Sequence, residues 1–208
     1  MIPADKADRA RTVRWLARRD PVLGAVIDAV GPLRLKLQRG RFESLARAIV
    51  AQQISTSAAQ SIWGRLRLLT KPKRVSADSL CRLNDDEIRA AGISPQKLGY
   101  LRDLQQQVIS RTVRLDRLHH HADDRVIDEL VRIKGIGAWT AQMFLMFSLG
   151  RADVLPHQDF GIRSAMRQLY ELPDLPTRDE CEEIAAPWRP HATIACWYLW
   201  RSSEIRQG

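Results

Sequence analysis

Residues 130–160, LVRIKGIGAWTAQMFLMFSLGRADVLPHQDF, constrain the fold more than any other part of this chain. They read as an apolar helix ending at Lys134, a very tight turn at Gly135-Ile136-Gly137, and a second, strongly apolar helix from Ala138 to about Leu149, stopped by Gly150. Two helices reverse this sharply only where some residues take positive φ, which glycine adopts without a Cβ clash. Gly137 then exposes N–H groups at the start of the second helix, and a helix N-terminus attracts phosphate. A loop delivers a single acidic residue, Asp159, 24 positions after Gly135. A backbone clamp for a polyanion and a carboxylate at fixed spacing are more informative together than either is alone.

The rest of the pattern is helical. Asp20-Pro21 reads as an N-cap followed by an N1 proline, and Val22, Ala25, Val26 and Ala29 share one apolar face. Ser55 or Ser57 caps a helix holding Ile62, Leu66 and Leu69. Asn84 with Glu87 and Thr177 with Glu180 have capping-box spacing, and Ser94-Pro95 opens another helix. No run of strand alternation, internal repeat or linker stands out. The expected fold class is all-α, with roughly nine to eleven helices joined by short loops. One domain over 1–208 is expected, in two lobes: about 41–155, and about 1–40 plus 156–208. A groove between lobes is the natural ligand site.

Composition narrows the partners. The chain has 208 residues and a formal net charge of +9, with Lys and Arg spread along it. A folded, evenly basic protein most often meets a polyanion, nucleic acid first. Cys81, Cys181 and Cys196 are odd in number, widely spaced and without a C-x-x-C, so no zinc or iron–sulfur framework and no disulfide scaffold is readable. Met1–Asp20 is crowded with charge and no apolar run approaches the length of a membrane span. A cytoplasmic protein with no membrane partner is the expectation. His119-His120-His121 is not read as a metal site, because consecutive rings on a helix diverge.

Asp159 stands in Pro156-His157-Gln158-Asp159-Phe160-Gly161, where a new helix begins. Aspartate is a good N-cap, and that role alone could account for it. The two roles are compatible: an ionised carboxylate facing a cleft also stabilises a sugar cation during glycosidic cleavage. Met143, Phe144, Met146 and Phe147 are most simply the buried face of the second hairpin helix, with Met143, one turn from Trp139, also placed to line the base pocket.

Glycine hairpin, amphipathic helix, loop and aspartate in this order resemble the helix-hairpin-helix DNA glycosylases with a Gly/Pro-rich loop and an essential Asp. Arg41–Leu45 through Gln52-Gln53-Ile54-Ser55, Ala91–Lys97, and Pro187-Trp188-Arg189-Pro190 resemble the 3-methyladenine DNA glycosylase II branch, and the likeness spans roughly residues 35–202. The resemblance implies a glycosylase that hydrolyses the N-glycosidic bond of alkylated bases (3-methyladenine or 7-methylguanine type) in double-stranded DNA and starts base excision repair as a monomer. It implies Asp159 as the catalytic carboxylate. It implies DNA contacts from Lys134, Gly135, Ile136, Gly137 and Lys97, with Gln53 or Ile54 wedged into the duplex. It implies no required cofactor. A structural Na+ or K+ would sit on the carbonyls of Val131, Ile133 and Ile136. Longer members of the family carry an N-terminal β-rich domain, and this chain begins too close to the helical core to hold one.

Two residues after Gly137, bifunctional members place a lysine that attacks the sugar. Here Trp139 stands there. An indole forms no Schiff base, so water is the expected nucleophile and no lyase activity is expected. Trp139 is either core or a platform for an extruded base. A base methylated at a ring nitrogen is cationic and gains about 0.5–2 kcal/mol on an indole face. Trp188, Trp197 and Trp200 are further candidates for that wall, though their helical spacing suits a core equally well. A glycosylase for oxidised or mismatched bases and a non-catalytic helix-hairpin-helix module are the competing readings.

Overall fold

The computed structural model describes residues 1–72 and 74–205, and among them there is no β-strand. Twelve α-helices follow in order: α1 Lys6–Arg19, α2 Pro21–Val30, α3 Arg41–Ala51, α4 Thr56–Leu69, α5 Ala77–Cys81, α6 Asp85–Ala90, α7 Pro95–Ile109, α8 Asp123–Leu130, α9 Ala138–Phe144, α10 Phe160–Leu169, α11 Arg178–Ala185 and α12 Ala192–Ile205. The all-α reading holds, with one helix more than the upper expectation. The caps are those the sequence spells. Asp20 accepts from the Leu23 N–H at 3.0 Å, Ser55 and not Ser57 caps α4, and the Asn84–Glu87 and Thr177–Glu180 boxes close in both directions.

The chain divides into two compact units, residues 1–37 with 145–208, and residues 38–144. The second division falls at 144/145, not near 155 as expected. The reason is local: the Ile2 N–H donates to the Gly150 carbonyl at 2.7 Å and the Thr193 N–H to the Ala152 carbonyl at 3.0 Å, so residues 145–155 belong with the two ends of the chain.

In the first unit α12 packs on α2 and α10, and α1 packs on α2. Ala192, Thr193, Ile194, Ala195, Cys196, Tyr198 and Leu199 are fully buried and Trp197 is 8% exposed, so the first two turns of α12 are covered on every side. A helix apolar all round belongs at the centre. Buried Asp20 is satisfied by the Leu23 N–H, by Trp188 Nε1 at 2.7 Å and by the Tyr170 hydroxyl. Burial, then that hydrogen bond, pushes the Tyr170 phenol far above its ordinary value.

In the second unit α3 packs on α4, α7 and α9, and α8 packs on α9. Leu45, Ile49, Leu66, Leu101, Leu104 and Leu130 are at most 1% exposed and form its core. The first hairpin helix, α8, ends at Leu130 and not at Lys134, because residues 131–134 turn: the Ile133 N–H donates to Leu130 and the Ile136 N–H to Ile133. The second hairpin helix starts at Ala138 as expected, becomes a π-helix over Leu145–Leu149, and stops at Gly150, whose φ is +68°.

Candidate active site

The hairpin turn is fixed from three sides within its own unit. Gly135 has φ +81°, and a Cβ there would lie 2.2 Å from Tyr100 Cδ2, so both backbone and packing demand glycine. Gln52 Nε2 donates to the Gly135 carbonyl at 2.7 Å. Asp103 Oδ2 accepts from the Lys134 N–H at 2.8 Å. Gly137 has no positive φ, and a Cβ added to it would meet nothing within 4 Å, so only the first glycine is conformationally required. The Ala141 N–H closes the first turn of α9 on the Gly137 carbonyl at 3.0 Å. Tyr100 and Asp103 do not stand out in the sequence, and Gln52 is marked there only as part of the branch motif, because each acts across a long sequence separation.

The connection from α3 to α4 carries the two wedge candidates. Gln53 is exposed with φ +54°, and Ile54 is 37% exposed. A non-glycine residue held in the left-handed region costs on the order of 1 kcal/mol and is frequent at working sites. Lys97 is different. Its ammonium donates to the Val50 carbonyl at 2.8 Å, at the C-terminal end of α3, and burial lowers its pKa. This is a C-terminal helix cap, which ties the Lys97 side chain to the end of α3. Lys134 is exposed.

Trp139 is 46% exposed in the first turn of α9, and half-buried Met143 follows one turn later. The side chains of Ile133 and Ile136 are buried at 1% and 4%, while Val131 is 41% exposed. The Ile133 carbonyl accepts the Ile136 N–H at 3.0 Å, and a carbonyl oxygen has a second lone pair. Three neutral oxygens from one turn are donors of the hard type that suits Na+ or K+.

In the first unit Asp159 is 9% exposed and caps α10. Its Oδ1 accepts from the Ile162 N–H at 2.8 Å and from Trp200 Nε1 at 2.9 Å. The main chain is held too, with the Asp159 N–H on the Pro156 carbonyl at 2.8 Å. Gly161 leaves room: a Cβ there would approach Asp159 Oδ1 at 3.1 Å and Trp200 Cδ1 at 3.2 Å. The Trp200 ring also lies 5.8 Å from Phe147. Adjacent Phe160 is 72% exposed, an unusual setting for a phenylalanine and one that no pattern around it in the sequence signals.

The C-terminal tryptophans separate. Trp200 reaches the carboxylate. Trp188 is fully buried with its indole N–H on Asp20, so it is core and not a pocket wall. Trp197 is 8% exposed, edge-on to Tyr198 at 5.0 Å, and the Arg201 guanidinium lies 5.5 Å over its ring. That packing makes it core as well. The rings of His119 and His120 lie 3.7 Å apart, tilted by 41°, and His121 Nδ1 lies 2.9 Å from Glu129.

Comparison with known proteins agrees with this architecture. A DNA-3-methyladenine glycosylase of Schizosaccharomyces pombe is 35% identical over 179 residues, covering 84% of this chain and 77% of its own length. A solved DNA-3-methyladenine glycosidase from Bacillus halodurans superposes with a TM-score of 0.84 at 34% identity, over 94% of this chain and 90% of that one. The S. pombe 3-methyladenine DNA glycosylase solved with abasic DNA superposes with a TM-score of 0.81 at 30% identity, over 93% and 97%. The family model for the HhH-GPD superfamily of base excision DNA repair proteins matches residues 46–190, which span both the glycine hairpin and Asp159. The chain therefore belongs to the HhH-GPD superfamily of base excision DNA repair proteins.

Proposed function

We propose that this protein is a monofunctional DNA glycosylase that releases alkylated purines, of the 3-methyladenine and 7-methylguanine type, from double-stranded DNA. The observation that carries the reading is Asp159: a nearly buried carboxylate held on one oxygen by the Ile162 N–H and the Trp200 indole N–H. A carboxylate fixed in this way needs no reorganisation when positive charge develops on a deoxyribose. The names of the relatives, DNA-3-methyladenine glycosylase and glycosidase, support the 3-methyladenine part of this reading.

In this reading the hairpin amides at Gly135–Gly137 hold a DNA phosphate, and Gln53 fills the space that the extruded nucleotide leaves. Trp139 offers an indole face to the cationic base. The C1′–N bond breaks with its electron pair leaving on the base, which thereby becomes neutral. Asp159 stabilises the sugar cation, and water adds to C1′ and loses a proton. An alkylated base is already a good leaving group, so no second acid is required. Trp139 stands where a lyase has its amine, so the product is an intact abasic strand. The carbonyls of Val131, Ile133 and Ile136 would hold a Na+ or K+ ion, which supplies positive charge toward the bound phosphate. The enzyme works as a monomer. No described helix is long and apolar enough to cross a membrane.

Asp159→Asn tests the reading. The amide oxygen still caps α10, while the charge is gone. Loss of one preorganised electrostatic group costs about 2.7–4 kcal/mol, roughly 10²–10³ in rate. Single-turnover release of 7-methylguanine should fall by that amount with abasic-duplex affinity retained. Undiminished release, or borohydride trapping of the wild-type protein on DNA, would overturn it.

A further inference from the structure

The second unit carries a groove of about 470 Å³ between α3 and α4 that the proposed chemistry does not use. Arg39, Arg47, Arg67 and Arg74 line it, each exposed, and none has a carboxylate within ion-pair distance among the described residues. Glu43 is the single acidic residue in the lining. Four guanidinium groups around one concavity repel each other until an anion enters, and each fits a carboxylate or phosphate through paired N–H donors.

The position sets this groove apart from the α3–α4 turn. Arg67 is 11 residues beyond Thr56, about 16 Å along α4 at 1.5 Å per residue, and Arg39 precedes the first residue of α3. The groove thus lies toward the helix ends opposite Gln53 and Ile54. Gly64 adds a second observation. It stands in the interior of α4, exposed, and a Cβ there would meet nothing within 4 Å. Glycine is disfavoured against alanine at such a place, and no packing inside the unit requires it. Its effect is to keep the groove open.

The lining discriminates between anions. Single-stranded nucleic acid binds through exposed aromatic faces on which bases stack. The one aromatic residue here, Trp63, is only 7% exposed. Gln38 and Gln60 place amides along the groove, and the Gln38 carbonyl accepts from Ser44 Oγ at 2.6 Å, so its remaining group is a donor. Amide donors beside arginines suit the main-chain carbonyls and acidic side chains of a peptide. We propose that this groove binds an extended, Asp/Glu-rich segment of a partner protein while DNA occupies the hairpin. The site stands whether or not the hairpin reading of DNA contact is correct.

The test is fluorescence anisotropy with a labelled eight-residue peptide of alternating Asp and Glu, added to protein saturated with abasic duplex so that the DNA face is blocked. Saturable binding is expected, weakened about tenfold or more (one 1.4 kcal/mol step) by Arg39→Glu with Arg67→Glu. Gly64→Leu keeps every charge, raises helix propensity and fills the groove, and should weaken binding similarly if the charge reversals impair folding. Excision of 7-methylguanine should be unchanged in Gly64→Leu. Displacement of the peptide by duplex, equal affinity for an oligothymidylate that the same variants abolish, or peptide binding indifferent to Gly64→Leu would each overturn the proposal.

Discussion

Gly135→Ala offers the sharpest check on the hairpin. Two separate penalties are readable. The first is conformational: alanine at φ +81° enters the left-handed region at about 1–2 kcal/mol. The second is steric. The new Cβ would lie 2.2 Å from Tyr100 Cδ2 and 2.5 Å from Cγ, far inside any real contact. The Tyr100 ring does not swing away freely, because Gln96 Nε2 donates to its hydroxyl at 3.0 Å. Overpacking of this kind costs about 1–3 kcal/mol. The expected loss of stability is therefore about 2–5 kcal/mol in the wild-type background. In a Tyr100→Ala background only the conformational part remains, about 1–2 kcal/mol. Equilibrium guanidinium denaturation of the four proteins, followed by tryptophan fluorescence and by circular dichroism together, gives the coupling energy directly. A coupling near zero would refute the account of Gly135 as a close-approach residue. A Gly135→Ala cost below about 0.5 kcal/mol, the size of an ordinary surface change, would refute both parts.

Further expectations concern the carboxylate, the platform and pH. Trp200→Phe keeps an aromatic ring but removes the indole N–H donor to Asp159 Oδ1. A hydrogen bond to a charged group is worth about 1.5–3 kcal/mol, so single-turnover excision should drop at least tenfold with little change in DNA affinity, and wild-type rates would reduce Trp200 to a packing residue. Trp139→Ala should slow release of cationic 7-methylguanine more than release of neutral hypoxanthine, since both lose stacking of about 1–3 kcal/mol and only the first loses a cation–π term of about 0.5–2 kcal/mol; equal losses would make Trp139 a shape-filling wall. Burial lowers the pKa of His191 below its ordinary 6.5, against an opposing pull from Asp153, and its Nδ1 is buried without a partner. The native state then binds fewer protons than the unfolded chain just below pH 6.5, so stability rises with pH across that window and is lost on acidification. Thermal melts between pH 7.5 and 5.5 should fall more steeply for the wild type than for His191→Gln, and parallel slopes would remove His191 from the acid sensitivity.

Short-range physics was legible in the residues alone. The caps at Asp20, Ser94, Asn84 and Thr177, the positive φ of Gly135 and Gly150 and the N-cap at Asp159 are local, set by each residue's own backbone or by groups within four positions. The spacing from hairpin to aspartate marked the family for the same reason, since it is a count along the chain. Tertiary structure decided what each long side chain does. Trp188, Trp197 and Trp200 share one sequence signature of aromatic residues at helical spacing. One ends on buried Asp20, one beneath Arg201 and one on Asp159, because the partner in each case is set by the fold and not by the local pattern. Lys97 reads as a basic contact, and the cap it makes on α3 through Val50, 47 positions earlier, is invisible in the sequence. Tyr100 looks ordinary, and Gln52 only part of a motif, until the fold sets them against Gly135. Local hydrogen bonding and backbone sterics determine where helices begin, turn and stop; only packing determines which polar atom each buried side chain will meet.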